Sequence, residues 1–355
     1  MRRAVCSCGG CLWIRHGRGS LREQTCVWIC IRPDATVRRR TILYVVQCAA
    51  PPGGPVRFII TGATGYIGRH LLRQARERGH DLAVYTRQRA GLPGDVTALS
   101  YDAPLPAAFH GADALINLAG RAHTTDTGAG HDAFDEANHQ LPRRLADQAR
   151  QAGVRRFVHV SSIGVYGNTR DEPLNEAAPL APDTPYARSK ARGDEALQQQ
   201  YEDAPTQLAI VRPPMVYGPA CPGNFARLRK LLQTGAPLPF GALDAPRSFI
   251  YVANLADLLL HVAAHPAGHG LFLAGDGSDY TVPQLLRAMA QESRRPARLF
   301  PVPAAWLRAA ARLAGLRREM DSLTRPLLVD WSHAHAALGW TPPVDPETAL
   351  RASLA

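Results

Sequence analysis

Lysine is nearly absent from this chain of 355 residues. Its 41 basic residues include only two lysines, Lys190 and Lys230, and the other 39 are arginines. Arginine, alanine, proline and glycine are all abundant, which is typical of a compositional bias, so a single arginine is weak evidence of function. A lysine kept in such a chain is more informative, because an ammonium and a guanidinium are not interchangeable at a site of defined geometry.

Cysteine is scarce in most of the chain. Six of the seven cysteines precede residue 55, and only Cys221 follows it. The greater part of the chain is therefore not a disulfide scaffold, which favours a reducing, cytoplasmic location. The six early cysteines match the spacing of no common zinc finger, so we expect no bound metal. They are Cys6, Cys8, Cys11, Cys26, Cys30 and Cys48.

Long hydrophobic runs are missing as well. The longest apolar run in the first 54 residues, 41–46, is far too short to span a bilayer, and the sequence predicts no signal peptide and no transmembrane helix. Residues 1–54 also lack a sustained period of 2 or 3.6. We therefore expect these residues to form a poorly structured extension, with translation starting near Val56, and we expect no membrane partner.

The net charge of +11 is concentrated at the same end of the chain. Residues 1–54 carry nine arginines and two acidic residues, a net charge of +7, which leaves +4 for the remaining 301 residues. No basic stripe interleaved with aromatic residues occurs in those 301 residues, so the composition argues against a nucleic-acid partner. Their length allows one large α/β unit or two modest domains.

A glycine-rich segment follows the first predicted strand. Residues 56–60 read VRFII, and residues 61–68 read TGATGYIG before a segment with the apolar spacing of a helix. The glycines of this segment, Gly62, Gly65 and Gly68, allow a tight turn, a close approach to a pyrophosphate and packing of the helix on the sheet. Their position between a strand and a helix predicts a dinucleotide-binding site.

The rest of the chain alternates predicted strands and helices. Further strands are predicted at residues 81–85, 114–118, 157–160 and 207–211. Helices are predicted at residues 131–151, 184–200, 253–264, 282–291 and 304–313. This alternation is typical of an α/β fold with a Rossmann-type doubly wound parallel sheet. We expect a Rossmann domain at 55–212 and a smaller α/β substrate-binding lobe at 213–355, with some interleaving of the two.

The end of the second strand distinguishes the nicotinamide cofactors. An acid there binds the ribose hydroxyls of NAD, whereas an arginine accommodates the 2′-phosphate of NADP. Residues 85–89 read YTRQR, which contains no acid, and Arg87 is the candidate ligand of the phosphate. We therefore favour NADP(H) as the cofactor, with NAD(H) as the alternative.

Lys190 lies four residues after Tyr186 in a predicted helix that Thr184 can cap and Pro185 can begin. The spacing of four places both side chains on one face of the helix. A free tyrosine has a pKa of about 10, and a neighbouring ammonium lowers that pKa towards the working range of a general acid or base. The pair therefore predicts proton transfer by Tyr186.

Two serines follow the predicted strand 157–160, at the edge of the sheet where open α/β folds bind their ligands. A hydroxyl at this edge can donate a hydrogen bond to a substrate oxygen whose charge changes during the reaction. Because Tyr186 and Lys190 follow in the chain, we predict a catalytic role for this position, Ser161 or Ser162.

Six segments together resemble the extended short-chain dehydrogenase/reductases, and among them the NAD(P)-dependent epimerase/dehydratase family that acts on nucleotide sugars. The segments are TGATGYIG (61–68), NLAG (117–120), VSSIGVYG (160–167), PYARSK (185–190), RPPMVYGP (212–219) and RSFIYVANLADL (247–258). They occur in the order and spacing of the family, and the resemblance covers residues 56–355. They are highly specific for the superfamily and less specific for the reaction.

The resemblance implies roles for individual residues. It implies a catalytic trio of Ser162, Tyr186 and Lys190, since Ser162 aligns better than Ser161. It implies that Asn138 supports the site. Substrate contacts are implied for Ser162, Asn224 and Arg247, of which the last two face the diphosphate of a nucleotide sugar. Cofactor contacts are implied for Gly62, Gly65, Tyr66, Ile67, Gly68, Asp102, Ala119, Gly120, Tyr186, Lys190, Pro213 and Val216.

Departures from the family pattern narrow the reaction. Family dehydratases follow the catalytic hydroxyl residue with an Asp-Glu pair, whereas Ser162 is followed by Ile163 and Gly164, which argues against dehydration. Ser248 and Asn254 also stand where acids are common in the family. The segments GNF (223–225), APLPFGAL (236–243) and ALGWTPP (337–343) most resemble reductases of nucleotide 4-keto-6-deoxy-hexosamines.

We therefore favour a 4-ketoreductase that acts on a UDP-4-keto-6-deoxy-hexosamine-type sugar in surface polysaccharide synthesis. A UDP-hexose 4-epimerase with tightly bound NAD is the alternative. A non-enzymatic NAD(P)-binding sensor or scaffold is a third interpretation, against which the intact catalytic trio argues. Relatives commonly dimerise through the helices that correspond to 131–151 and 184–200, so we expect a homodimer.

Overall fold

The computed structural model describes residues 27–32, 42–47, 56–86, 91–100, 110–122, 130–204, 206–293 and 296–354. The chain divides into two units, Met1–Pro55 and Val56–Ala355. In the first unit, strands β1 (Val27–Arg32) and β2 (Ile42–Gln47) pair in antiparallel orientation. The second unit contains every residue for which the sequence predicts a catalytic or binding role.

The second unit is built on a parallel sheet of seven strands. Its strands, with those of a smaller sheet, are β3 (Arg57–Thr61), β4 (Asp81–Thr86), β5 (Thr97–Ser100), β6 (Ala114–Asn117), β7 (Arg156–Val160), β8 (Gln207–Arg212), β9 (Met215–Tyr217), β10 (Arg247–Tyr251), β11 (Gly270–Leu273) and β12 (Ser278–Tyr280). The large sheet has the order β11-β8-β7-β6-β3-β4-β5. The connections change direction between β3 and β6, so the carboxyl ends of these strands border the kind of crevice in which doubly wound sheets bind ligands.

The predicted Rossmann-type α/β fold is confirmed. The five strands predicted from the sequence correspond to β3, β4, β6, β7 and β8, and each boundary agrees within one residue. Strands β5, β9, β10, β11 and β12 were not predicted. They are only three to five residues long, and an apolar pattern of that length does not stand out from the surrounding sequence.

The helices that flank the sheets differ from the predicted ones in one informative place. They are α1 (Tyr66–Glu77), α2 (Gly130–Asp135), α3 (Leu141–Gln151), α4 (Pro185–Tyr201), α5 (Asn224–Gln233), α6 (Val252–Ala264), α7 (Val282–Glu292), α8 (Ala304–Leu313), α9 (Arg317–Thr324), α10 (Ser332–Leu338) and α11 (Pro346–Leu354). The single helix predicted at 131–151 is interrupted by a π-helical turn, Glu136–Gln140, between α2 and α3. Such wide turns are frequent at functional sites, and this one carries Asn138.

Apolar side chains bury both faces of the large sheet. One face packs against α1 and α6 through a cluster that includes Phe58, Leu71 and Leu255. The other face packs against α3 and α4 through a cluster that includes Leu145 and Leu197. Since α6 and β11 come from the C-terminal half of the chain, that half completes the sheet that the N-terminal half begins.

A smaller layer lies beside the large sheet. Strands β12, β10 and β9 form a three-stranded sheet in that order, and helices α5, α7 and α11 pack with it around Phe249, Leu286 and Met289. This layer comes entirely from the range 213–355, for which the sequence predicts a substrate-binding lobe. Among the residues that the structure describes, no helix combines the length and the apolarity needed to cross a bilayer.

Candidate functional site

The glycine-rich turn brings three backbone segments closer together than side chains would allow. Gly62, directly after β3, has φ +69°, and a Cβ atom added there would lie 2.7 Å from the main-chain nitrogen of Ala119. A Cβ atom at Gly68 would overlap the carbonyl oxygen of Gly62. These glycines therefore let α1 begin tightly against the ends of β3 and β6, with its unpaired amides at the crevice.

A cavity of about 1180 Å³ opens at this crevice. Four of the predicted cofactor residues, Gly62, Gly65, Ala119 and Gly120, line it. Its other lining residues are Ala63, Thr64, Tyr85, Thr86, Leu118, Arg121, Ala133, Glu136, Ala137, Leu141 and Arg144. The cavity therefore runs from the glycine turn, past the end of β4, to the π-helical turn and the start of α3.

Three predicted cofactor residues of α1, Tyr66, Ile67 and Gly68, are not among the residues that line this cavity. The Tyr66 ring makes an edge contact with His70 at 5.5 Å, and its hydroxyl oxygen lies 2.6 Å from the position of a Cβ atom at Gly218. Ile67 packs against the apolar clusters on both sides of α1. In the structure, Tyr66 therefore joins α1 to the loop after β9, and Ile67 contributes to the packing of α1.

One of the two predicted cofactor residues after β8 contacts the turn that carries Ser162. The carbonyl oxygen of the buried Pro213 accepts a hydrogen bond of 3.1 Å from the amide of Ile163, which directly follows Ser162. Val216 lies in β9, where it pairs with Ile250 of β10. The strand that leaves the large sheet at Pro213 is thus tied to the turn that carries Ser162.

Three predicted site residues fall outside what the structure describes. Arg87 and Asp102 lie in the ranges 87–90 and 101–109, which are not described. Asn224 begins α5, but its side chain is likewise outside the description. The roles predicted for these three residues stay predictions.

Helix α4 forms as the sequence predicts. The Thr184 hydroxyl accepts a hydrogen bond of 2.8 Å from the amide of Ala187, and Pro185 occupies the first turn. The helix carries Tyr186 and Lys190 one turn apart. The Lys190 ammonium donates to the carbonyl oxygen of Val160, the last residue of β7, at 3.0 Å. The helix cap and this hydrogen bond set the position of the lysine relative to the sheet.

The structure brings the predicted catalytic trio together. The Ser162 hydroxyl accepts a hydrogen bond of 3.1 Å from the amide of Gly164 and also bonds with the Tyr186 hydroxyl, and the latter bond opposes the rise in the pKa of Tyr186. That pKa is raised above its ordinary value mainly by burial, and the charge of Asp194 adds to the rise. Because this pKa is raised, Tyr186 is protonated near neutral pH unless a further positive charge comes close to its ring.

Lys190 is the basic group of this site. Only 5% of its surface is exposed, and burial lowers its pKa to about 8, while the charge of Asp194 acts in the opposite direction. Its ammonium lies 3.1 Å from the position that a Cβ atom at Gly120 would occupy. Lys190 therefore links the predicted catalytic site to the wall of the cavity.

Asn138 holds three chain segments together beside Lys190. Its side-chain oxygen accepts from the Arg121 amide at 2.9 Å, and its side-chain nitrogen donates to the Arg121 carbonyl at 2.9 Å and to the Ser189 hydroxyl at 3.0 Å. The Ser189 hydroxyl in turn donates to the Tyr186 carbonyl at 2.8 Å. At Gly193 of α4 a Cβ atom would overlap the carbonyl of Asn138. The predicted supporting residue thus joins the cavity wall to α4.

A buried acidic residue lies one turn beyond Lys190. Asp194 accepts hydrogen bonds of 2.9 Å from the Ser161 hydroxyl and from the Arg212 guanidinium. Arg212 also donates to the Tyr166 hydroxyl at 2.6 Å and lies over the ring of that tyrosine. Burial raises the pKa of Asp194, whereas Arg212, Ser161 and Lys190 oppose that rise. Ser161, the alternative to Ser162, is therefore engaged in this network.

A second buried chain of polar groups runs beneath the glycine turn. The Thr61 hydroxyl donates to the Asn117 side-chain oxygen at 2.6 Å, and the Asn117 side-chain nitrogen lies 3.0 Å from Nδ1 of His159. Burial, together with the charges of Lys190 and Arg212, holds the pKa of His159 well below its ordinary value. His159 is therefore neutral near pH 7, and it is not a general acid at that pH.

Arg247, predicted to face the diphosphate of the substrate, is held by protein groups. Its guanidinium donates to the Asn168 carbonyl at 3.0 Å, to the Asn168 side-chain oxygen at 3.2 Å and to the Arg325 carbonyl at 3.1 Å. Burial lowers its pKa to about 10. It does not line the cavity of 1180 Å³, and the structure places it at the start of β10.

Sequence reasoning missed several residues of the buried networks. Asp194 follows Lys190 by four residues, so the spacing that predicted the Tyr186 and Lys190 pair could also have predicted it. Arg212 ends β8 and gave no usable signal in an arginine-rich chain. Asn117, His159 and Thr61 end or nearly end their strands, and only the sheet order brings them side by side.

The cavity has the features that a nicotinamide dinucleotide requires. A Cβ atom at Gly62 or Gly120 would lie within about 3 Å of neighbouring atoms, so glycine is needed at both. The first turn of α1, which directly follows the lining residue Gly65, carries no acidic residue that would repel a pyrophosphate. The residues present therefore fit such a cofactor.

Comparison with known proteins agrees with this site. Residues 58–274 match the model of the NAD dependent epimerase/dehydratase family. The chain is 32% identical over 312 residues to a UDP-glucose 4-epimerase of Vibrio cholerae, covering 84% of this chain and 94% of that protein. It is 31% identical over 265 residues to a dTDP-4-dehydrorhamnose reductase of Mycobacterium tuberculosis, covering 71% of this chain and 81% of that protein.

Solved structures show the same fold. A UDP-glucuronic acid 4-epimerase from Bacillus cereus, in complex with NAD, superposes with a TM-score of 0.68 at 18% identity, covering 84% of this chain and 96% of the other. At that identity the likeness concerns the fold alone. The family match and the two relatives extend the assignment beyond the fold. The chain belongs to the NAD-dependent epimerase/dehydratase family, and the two relatives described above act on nucleotide sugars.

Proposed function

We propose that this protein is an NAD(P)-dependent oxidoreductase that acts at C4 of a nucleotide sugar. The observation that carries the proposal is the grouping of Ser162, Tyr186 and Lys190 beside the glycine-lined cavity. Ser162 bonds with the Tyr186 hydroxyl, and the Lys190 ammonium reaches the cavity wall at Gly120. A proton donor, a hydrogen-bond donor and a positive charge are therefore grouped together, and the charge reaches the wall of the cavity.

In a carbonyl reduction, Ser162, Tyr186 and Lys190 would each have a distinct role. The bound cofactor supplies the hydride that forms the new C–H bond at C4. Tyr186 donates its hydroxyl proton to the sugar oxygen, whose C=O double bond becomes a C–O–H single bond. Ser162 donates a hydrogen bond to the same oxygen, and Lys190 stabilises the phenolate that Tyr186 becomes. In the reverse direction Tyr186 accepts the proton.

The net reaction that we favour is reduction of a 4-keto-6-deoxy-hexosamine bound to UDP, in the synthesis of a surface polysaccharide. Dehydration is disfavoured because the residues after Ser162 carry no acid or base. Ile163 is buried in an apolar cluster, and Gly164 has no side chain and makes its hydrogen bonds, including the one to Ser162, through the backbone. The resemblance of the C-terminal segments to such reductases and the similarity to a dTDP-4-dehydrorhamnose reductase support this choice.

A UDP-hexose 4-epimerase is the second candidate. The observation that favours it is the 32% identity with a UDP-glucose 4-epimerase that covers 84% of this chain. The same trio would then act twice, first as a base and then as an acid. The 4-keto sugar would rotate within the site between the two steps. A sensor or scaffold remains the non-enzymatic alternative, and the assembled trio argues against it.

The cofactor preference follows from the choice of reaction. NADP(H) is favoured by Arg87, which follows β4 in the sequence, and by the exchange of cofactor that net reduction requires. NAD(H) is the alternative, because solved structures of similar fold contain it. Fluorescence titration with NADH and NADPH distinguishes the two, and tighter binding of NADH would refute the preference.

The parts of the chain outside the trio have proposed roles too. The nucleotide sugar is proposed to bind at the layer of β9, β10 and β12, where Asn224 and Arg247 would contact its diphosphate. Helices α3 and α4 lie side by side, joined by hydrogen bonds of the Gln200 side chain with Arg143 and Asp147. We propose that they form the interface of a homodimer in the cytoplasm. Light scattering after gel filtration tests that assembly.

One experiment decides between the two reactions. Purified enzyme is incubated with UDP- and dTDP-linked 4-keto sugars while NADPH oxidation is followed, and separately with UDP-hexoses without added cofactor. A reductase consumes NADPH with a 4-keto sugar. An epimerase interconverts UDP-hexoses with the NAD it was purified with, and that result would reverse our choice. Tyr186→Phe is the inactive control, and turnover unchanged in it would overturn the mechanism.

A further inference from the structure

Exposed hydrophobic side chains are concentrated in one stretch of the C-terminal part of the chain. Five large hydrophobic side chains are exposed among the described residues, and four of them lie between residues 300 and 316. The five are Leu180, Phe300, Trp306, Leu313 and Leu316. Trp306 is 73% exposed and Leu313 is 93% exposed. Single exposed hydrophobic residues are ordinary, but a cluster of this kind marks an interaction surface.

Helix α8 arranges these side chains in a stripe. Ala311 is buried and anchors the helix to the protein. Trp306, Ala310 and Leu313 follow one another at spacings of four and three, and all are exposed. Spacings of three and four lie on one face of a helix. The apolar stripe therefore points away from the protein, where a soluble helix normally carries polar residues.

The same stretch carries an unusual charge. Residues 293–318 contain seven arginines and no acidic residue, whereas residues 55–355 as a whole carry a net charge of only +4, so the rest of that range is at −3. Arg308 and Arg312 of α8 have no ion-pair partner within the described part of the chain, and Arg317 approaches Asp321 at 3.7 Å. Along the sequence, the positive charge of the second unit is thus concentrated in the stretch that carries the exposed apolar side chains.

We propose that the α8 face, from Phe300 to Arg317, docks on the surface of a bilayer that contains anionic phospholipids. A helix with tryptophan and leucine on one side and basic residues on its other sides lies in the interface plane, with the apolar side chains among the acyl chains and the guanidiniums of the long arginine side chains at the phosphates. Anionic headgroups would also supply ion-pair partners for Arg308 and Arg312, which have none within the described part of the chain.

The charge favours a lipid surface over a second copy of this chain. Two copies that met through this face would bring two strongly positive stretches together, and like charges in contact cost free energy. Helix α8 has ten residues and is far shorter than a membrane-spanning helix. The expectation that the protein has no membrane partner rested on the missing spanning segment, and a docking helix needs none. This proposal does not depend on the proposed reaction.

The test uses the full-length protein and sedimentation with lipid vesicles. We expect binding to vesicles of phosphatidylcholine mixed with phosphatidylglycerol, weak binding to phosphatidylcholine alone, and release by salt, since salt screens exposed charges. Trp306→Ser with Leu313→Ser should abolish the binding. Arg312→Gln with Arg317→Gln, which removes two exposed arginines of this face, should weaken it about 25-fold, at about five-fold for each arginine near an anionic surface.

Matched control variants test whether a loss of vesicle binding is specific to substitutions on the α8 face. Leu180→Ser removes the exposed leucine elsewhere in the chain, and Arg73→Gln with Arg287→Gln removes two exposed charges elsewhere, so both should bind as the unchanged protein does. Equal binding to neutral vesicles, or equal loss in the control variants, would overturn the proposal. The proposal would also be overturned if the protein did not bind vesicles and Trp306→Ser with Leu313→Ser instead removed self-association or the binding of an acidic protein.

Discussion

The Lys190 ammonium donates a hydrogen bond of 3.0 Å to the carbonyl oxygen of Val160, the last residue of β7. This bond fixes a charged group of α4 against the end of the strand that delivers Ser162. A lysine can make it because its ammonium is compact, whereas a guanidinium is broad and planar. The position therefore explains why a chain with 39 arginines keeps a lysine here.

Replacement of Lys190 by arginine should severely impair the enzyme although it preserves the charge. The site is buried, and the ammonium already lies near Gly120 and Asn138. We expect turnover to fall by about 100-fold or more, the usual size of a lost acid–base contribution. The matched control is Lys230→Arg, which changes the other, exposed lysine and should leave turnover unchanged. Normal activity of Lys190→Arg would show that the scarcity of lysine carries no functional meaning.

Addition of one methyl group at Gly120 should disturb both the cofactor and the catalytic lysine. A Cβ atom there would lie 2.9 Å from the Asn138 side-chain oxygen and 3.1 Å from the Lys190 ammonium. We expect Gly120→Ala to weaken cofactor binding by about 1–3 kcal/mol, the usual cost of overpacking, in a fluorescence titration. Gly94→Ala is the control, because no atom lies within 4 Å of its added Cβ. Equal affinities of the two variants would contradict the predicted crowding.

The rate of reduction should fall as the pH rises through about 8. Burial lowers the pKa of Lys190 to about 8, so the ammonium is present below that pH and is lost above it. Loss of the ammonium removes the charge that stabilises the phenolate formed when Tyr186 gives up its proton. The measurement is kcat/KM for NADPH-dependent reduction across the pH range, which reports the free enzyme. A rate constant that stays level up to pH 10 would exclude Lys190 as the titrating group.

Removal of the Asp194 carboxylate should destabilise the protein strongly. Asp194 is the acceptor for Arg212 and Ser161 in a fully buried site. Loss of one partner of a buried ion pair leaves an uncompensated charge, at a cost of about 3–5 kcal/mol. We expect Asp194→Ala to lose that much free energy of unfolding in urea. Asp171→Ala, at an exposed position, should change it by little, and a similar small change for Asp194→Ala would refute the role of the ion pair.

Removal of residues 1–54 should leave the second unit folded. The chain divides into units at Pro55 and Val56, and the family match begins at residue 58. We expect a chain that starts at Met followed by Pro55 to keep its thermal unfolding transition and its cofactor affinity. Loss of either would show that the first unit contributes to the fold or to the site. The full chain measured side by side is the reference.

Local patterns were sufficient for the main outline of the fold and for part of the site. The glycine spacing at 62, 65 and 68 and the apolar strands predicted the sheet and the cavity, because tight turns and buried strands are encoded by neighbouring residues. The interval of four between Tyr186 and Lys190 predicted their common face, because a helix fixes that geometry by itself. Short strands and the π-helical turn at Asn138 were missed, because no local pattern distinguishes them.

The sequence by itself therefore determined the elements and the residues that one helix or one turn holds together. Only the tertiary structure decided which elements are neighbours. It placed Ser162 beside Tyr186, Asp194 against Arg212, and Asn138 between the cavity wall and α4. It also showed that the stripe of α8, which in sequence resembles any buried amphipathic face, is exposed. These relations join residues far apart in the chain, and they arise from the order of the strands and the packing of the helices on them.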